Sequence, residues 1–130
     1  MGLFAESVGA GGTVFVASVP LSGRIEVVGL ILSAGVTAVE EGPHRFEFAM
    51  GSEVAADQAG LDRLEGLFPD ASQTRPERRS IMVGLFSGSL YWPLQFVIEP
   101  DGRRLVAGFH NGNVVTSTAM WAGFVVKRVV

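Results

Sequence analysis

From Thr13 to Val129 the chain is a succession of short apolar runs, each broken by glycine, proline, asparagine or aspartate. Runs this short suit strands, whereas a packed helix needs ten or more residues at 3.6-residue spacing. One window alone offers that spacing. The pattern therefore restricts the chain to a mostly β fold, in which many short antiparallel strands are joined by tight turns. Gly, at 17 residues, supplies the turns, and a hydrophobic fraction of 48% supplies the core. A length of 130 residues suits one domain with a sizeable core.

The individual runs can be placed. Residues 1–12 read as a flexible N-terminal arm, with apolar Leu3 and Phe4 ahead of the hinge Gly9-Ala10-Gly11-Gly12. Residues 13–130 read as the single domain. Thr13–Val19 and Arg24–Ser33 are strand-like, and Gly29 inside the second marks a bulge or a close backbone approach. Glu40-Glu41-Gly42-Pro43 is a turn. His44–Met50 alternates, with Phe46, Phe48 and Met50 on one face and Arg45, Glu47 and Ala49 on the other. Ser52–Phe68 is the helical window, with Ser52 as N-cap and Val54, Leu61, Leu64 and Phe68 near one face. Gly60 and Gly66 weaken it, and Pro69 ends it. Asp70–Arg79 is a polar loop.

Strands at Ser80–Phe86 and Pro93–Glu99 flank a turn at Ser87–Trp92. Pro100-Asp101-Gly102 is a turn. Asn111-Gly112 carries the hairpin signal between Arg103–His110 and Val114–Thr118, and Met120–Val129 closes the domain. The expected core includes Ile25, Val27, Phe46, Phe48, Phe96, Ile98 and Val125.

Function classes narrow by composition. With no cysteine, disulfides, thiolate metal sites and cysteine nucleophiles are excluded. A net charge of −3 offers no general attraction to nucleic acid. The charge is uneven: residues 1–70 hold ten acids and three bases, net −7, and residues 71–130 hold three acids and seven bases, net +4. Unlike faces of this kind can meet around a ring of identical subunits. The uncharged run Ile81–Ile98 is broken by Pro93 and a Gly/Ser cluster, so it reads as strands and not as a membrane span. Met1-Gly2 lacks the Ser or Thr that myristoylation wants at position 6, where Glu6 stands, and no basic residue precedes Arg24.

No constellation of catalytic residues emerges. His44 and His110 are far apart and show no ligand spacing. Gly84-Leu85-Phe86-Ser87-Gly88 has the wrong spacing for a nucleophile elbow, and Gly9-Ala10-Gly11 precedes a strand instead of a helix. Glu40-Glu41 and the pair Glu99 and Asp101 sit at turns, where carboxylates are normally solvated. Arg75, Arg78 and Arg79, with Arg103-Arg104, lack the interleaved aromatics of a nucleic-acid groove. The expectation is a protein without catalytic residues, metal, cofactor or small-molecule substrate, and without a nucleic-acid or membrane partner. Tyr91, Trp92 and Trp121 suit the ends of the core, an interface or a sugar platform, and with Leu3 and Phe4 they are the candidate interface residues.

The segment Pro93–Val130 adds a resemblance. Pro93-Leu94-Gln95-Phe96-Val97-Ile98-Glu99-Pro100-Asp101-Gly102 leads into Arg103-Arg104-Leu105-Val106-Ala107. After Asn111-Gly112 comes Ala119-Met120-Trp121-Ala122-Gly123-Phe124. This resembles the closing strands of small jelly-roll virion proteins of tailed bacteriophages, of the capsid-decoration or fibre type, and Arg24–Gly35 is similar to their early strands. The resemblance implies an antiparallel β-sandwich of jelly-roll type with one short inserted helix. It implies a structural virion component, a homotrimer contacting itself and other virion proteins. The alternative is a carbohydrate- or receptor-binding module on the same fold. The long uncharged runs Ser7–Gly23 and Asn111–Val126 also point to an oligomer.

Overall fold

The computed structural model describes residues 1–34, 44–67, 79–83 and 88–129. The strands are β1 (Gly2–Val8), β2 (Thr13–Ala17), β3 (Ile25–Ala34), β4 (His44–Gly51), β5 (Glu65–Gly66), β6 (Arg79–Val83), β7 (Gly88–Trp92), β8 (Phe96–Ile98), β9 (Arg104–His110) and β10 (Thr118–Val129). Among the described residues one short helix, α1, spans Gln58–Asp62. The turn Glu40–Pro43, the loop residues 70–78 with Arg75 and Arg78, and Phe68 and Ser87 lie outside the described residues.

The strands form two five-stranded antiparallel sheets. The first runs β1-β10-β3-β7, with β8 also on β3. The second runs β2-β9-β4-β5, with β6 also on β4. Pairing is nested: the first strand lies beside the last, β2 beside β9, β3 beside β7 and β8, and β4 beside β5 and β6. Consecutive strands along the chain often change sheets, so the two layers are wound together and cannot separate as independent hairpins.

The core between the sheets follows the period-two alternation of strands. Phe46, Phe48 and Phe109 come from the second sheet, and Ile25, Val27, Leu30, Leu32, Phe96, Ile98 and Phe124 from the first. Phe46 and Phe109 are register partners with ring centroids 5.5 Å apart in an edge-on arrangement. Phe48 meets Phe124 across the sandwich at 5.4 Å. The expected core residues are buried except Val125, which is half-buried on the side of β10 opposite Phe124.

The second sheet is covered on its outer face as well. Leu61 of α1 is fully buried against Ala49 and Val106, with Phe15, Ala55 and Leu64 around them. Gly108 makes this possible, because a Cβ there would stand 3.1 Å from both Leu61 Cδ2 and the Phe15 ring. The alternation of β4 therefore predicts its faces but not their exposure. Glu47 and Ala49, on the expected polar face, are both buried.

Several sequence expectations are corrected. The arm of residues 1–12 contains strand β1, paired along β10, and Leu3, Ala5 and Val8 are buried. The glycines that suggested a hinge form the tight corner into β2, with Gly12 N–H donating to Gly9 O at 2.8 Å and Gly11 at φ 64°. Leu3 thus belongs to the core and not to an interface.

The helix expected over Ser52–Phe68 is reduced to Gln58–Asp62. Its cap is Asp57, whose carboxylate accepts the Gly60 N–H at 2.7 Å, and Glu65–Gly66 pairs with β4 instead. The turn expected at Ser87–Trp92 is largely strand β7. Asn111-Gly112 is no hairpin, since β9 and β10 lie in different sheets, and Val114–Ser117 forms an exposed connection in place of a strand.

Candidate functional site

The first sheet leaves its outer face open, and the register assembles an aromatic surface there. Phe4, Trp121, Ser33 and Ser89 are successive cross-strand neighbours from β1 to β7. The adjacent row is Gly2, Gly123, Ile31 and Tyr91. Phe4 and Tyr91 are more than half exposed, at 56% and 54%. No charged side chain occurs in either row.

Glycines let the large rings lie along the sheet. A Cβ on Gly123 would stand 2.4 Å from Trp121 Cη2, and one on Gly2 would stand 2.8 Å from Trp121 Nε1. The indole therefore spans this cross-strand pair. A Cβ on Gly29 would stand 2.5 Å from the Tyr91 hydroxyl, so the phenol ring occupies the space over β3. What comes close to Gly29 is thus a side chain, and not the backbone that the sequence suggested. Gly29 also borders an irregularity, because the β10–β3 register shifts between Val125 and Val126.

Gly123→Val is expected to lift the indole from its seat and to destabilise the fold by about 1–3 kcal/mol through overpacking. Thermal melts, with Trp121 emission followed in a Trp92→Phe background, check this. An unchanged spectrum and midpoint would show that the indole does not rest on Gly123.

Of the candidate interface residues, the fold brings Phe4, Trp121 and Tyr91 to this face. Trp92 follows Tyr91 on the strand and points to the opposite side, in register with buried Leu30 at the sheet margin, where it is 41% exposed. Ile31, Ser33 and Ser89 complete the surface and were not singled out by sequence. The glycine at i+2 from Trp121 was the legible signal, since same-face neighbours on a strand are two residues apart. Toward the Lys127 end, Glu26, Val97 and Gln95 border an open hollow of about 310 Å³.

A polar cluster, also unrecognised in the sequence, lies on the outer face of the second sheet. Register places Thr13, His110 and Arg45 side by side. Thr13 Oγ1 is 2.5 Å from His110 Nδ1, and Arg45 Nη2 is 2.8 Å from His110 Nε2. Buried Glu47 lies 3.4 Å from His110 Nε2 and 3.5 Å from Arg45 Nε, and its Oε2 accepts from Gln58 Nε2 at 2.8 Å. Gln58 also donates to Asp62, at 2.9 Å. The two histidines are separate: His44 Nδ1 accepts the Gly112 N–H at 3.1 Å. The cluster joins β2, β9, β4 and α1 through contacts among its own members. A buried carboxylate held in this way is one that a sheet can tolerate.

Of the remaining candidates, Arg103 and Arg104 are engaged with nearby backbone. Arg103 donates to the carbonyls of Glu99 and Pro100 and pairs with Glu65, locking the turn in which Asp101 and Gly102 take φ values of 53° and 81°. Arg104 donates to Ser18 O at 2.9 Å. Among the described residues, no group of three or more histidine and acidic side chains is placed to hold a metal ion. No helix of the described residues is long and apolar enough to cross a membrane. No protein-family model matches the chain, and no curated protein matches it.

Proposed function

We propose that this protein is a non-catalytic structural subunit of a virion-type particle that docks on other protein chains through the outer face of its first sheet. The observation that carries this reading is the uncharged surface of Phe4, Trp121, Ile31 and Tyr91, left open on a sheet whose other face packs the core. Solvated sheet faces ordinarily alternate apolar-in with polar-out. An apolar, aromatic patch with charges only beyond its two ends, Glu6 at one and Glu26 and Lys127 at the other, is the composition of an interface core.

The nested strand pairing supports a jelly roll, a fold used by capsid proteins and by lectins alike. Together with the strand-and-turn resemblance of Pro93–Val130, it favours the virion reading. Fold alone does not choose between assembly and recognition. One observation favours the second reading, a carbohydrate platform: the indole lying across Gly2 and Gly123 stands beside the hydroxyl-bearing Ser33 and Ser89.

Phe4→Asp with Tyr91→Asp separates the two. Both side chains are already exposed, so the fold should persist. The wild-type chain is expected to form higher assemblies in sedimentation at micromolar concentration, and the double variant to lose them. A wild-type chain that forms none, yet whose Trp121 emission is quenched by soluble polysaccharides, would replace the docking reading with the carbohydrate one.

A further inference from the structure

Strand β2 forms a margin of the second sheet and is built unlike the other margins. Among the described residues it pairs on one side only, with β9. The bonds at its two ends reveal which backbone groups are left over. Asn111 N–H donates to Gly12 O at 3.0 Å, and Ser18 N–H donates to Leu105 O at 2.8 Å. Even-numbered residues therefore face β9. The N–H and C=O groups of Thr13, Phe15 and Ala17 point the other way, along the open edge.

Native sheets protect such edges with charges, prolines, bulges or very short strands. The β1 margin has exposed Glu6 and a register shift between Ala5 and Val8. The opposite margin of the first sheet is interrupted, since β7 stops at Trp92 and β8 resumes at Phe96 after Pro93-Leu94-Gln95. Strand β5 has two residues. By contrast, β2 reads Thr-Val-Phe-Val-Ala in unbroken register, with no charge, proline or glycine. These residue types have high strand propensity. An open groove of about 880 Å³ borders this edge, with Phe4, Phe15, Ala17, Val54 and Arg104 in its walls.

We propose that β2 is a strand-pairing site for a second copy of this chain, the two β2 strands running antiparallel about a two-fold axis at Phe15. Parity makes the strand complementary to itself. Thr13 meets the partner's Ala17 and Phe15 meets the partner's Phe15, so outward N–H and C=O groups face one another throughout. An isologous contact repeats each pair about the axis and sets only the axial residue against its own copy, so a charge at the axis would repel its copy. β2 has none. The pairing joins two five-stranded sheets into one and places the Phe15 rings side by side over the α1 layer. It gives a dimer where the resemblance to virion proteins implied a homotrimer. The contact lies on the second sheet, and of the aromatic face of the first only Phe4, which also lines the groove, stands near it.

The test is sedimentation equilibrium of the full chain at micromolar concentration, with amide hydrogen exchange at Phe15 and Ala17. Ala17→Pro removes an outward N–H and spares every bond to β9, a change that edge strands accommodate. It is expected to raise the dimer dissociation constant at least about tenfold, with an unchanged circular dichroism spectrum. Tyr91→Asp is expected to leave that constant unchanged. The Phe15 and Ala17 amides should become protected as concentration rises. A chain that stays monomeric, or a dimer indifferent to Ala17→Pro, overturns the proposal. So does a dimer broken by Tyr91→Asp alone, which would move the contact to the aromatic face. If Ala17→Pro does not fold, the wild-type exchange decides: protection independent of concentration overturns the pairing.

Discussion

Asn111→Leu is expected to lower the unfolding free energy by about 3 kcal/mol or more, because several buried backbone groups lose their partner at once. The Asn111 amide donates from Nδ2 to Val8 O at 3.1 Å, Gly9 O at 3.3 Å and Thr116 O at 2.8 Å. Its Oδ1 accepts the Asn113 N–H at 2.9 Å. Asn113 extends the set, with Oδ1 accepting from Val115 and Thr116 and its own carbonyl accepting the Gly11 N–H. Two buried amides thus tie the β1–β2 corner to the β9–β10 connection at one end of the sandwich.

Leucine matches asparagine in reach but offers neither donor nor acceptor. The midpoint of thermal unfolding should fall by roughly 10 °C or more for a chain of this size. Asn111→Asp should do comparable damage, since it directs a carboxylate oxygen toward carbonyl oxygens. Val115→Ala, at a 64% exposed position of the same connection, should be close to neutral. If Asn111→Leu unfolds within about 1 kcal/mol of wild type in urea, the corner and the connection are held by something other than this amide.

Phe46→Ala is expected to cost about 3–5 kcal/mol. Phe46 is fully buried at the centre of the second sheet and meets Phe109 edge-on across the β4–β9 ladder. Removing the ring deletes apolar contacts and leaves a cavity that β4 and β9, each paired on both sides, cannot collapse into. Phe46→Leu should recover most of the loss, because shape and apolarity are largely kept. Equilibrium denaturation of the three proteins measures the series. A cost below about 1 kcal/mol for Phe46→Ala would mean that the two sheets are not packed at this level.

Individual elements show where sequence reasoning reaches and where it stops. His44–Met50 was legible because strict alternation of Phe46, Phe48 and Met50 can serve only one face of a strand. The same alternation in Leu3, Ala5 and Val8 is interrupted by the β1 register shift, and the glycines after it suggested a hinge. In Ser52–Phe68 the helical spacing of apolar residues was real. Asp57 nevertheless supplied a cap in the middle of the window, and pairing with β4 claimed Glu65–Gly66. Asn111-Gly112 carries a hairpin composition, yet the side chain of Asn111 spends its hydrogen bonds on β1 and the following loop.

The aromatic face was half legible. Phe4, Tyr91 and Trp121 stand out as large aromatics near turns or termini, and glycine two residues after Trp121 marks a place where a ring can settle. That Trp92 faces away from Tyr91, and that Leu3 faces away from Phe4, follows from the period of two once both segments are strands.

By itself the sequence determined the strand-sized runs, the identity of several core residues, the lack of cysteine chemistry and the shortage of charge, because each depends on composition or on spacing within one segment. Only the tertiary structure decided which strands became neighbours. Cross-strand register sets residues far apart in the chain beside one another, and no local pattern encodes that choice. Register brought Thr13, His110, Arg45 and Glu47 into one network, laid Trp121 over Gly2 as well as Gly123, and left the unpaired groups of β2 facing outward.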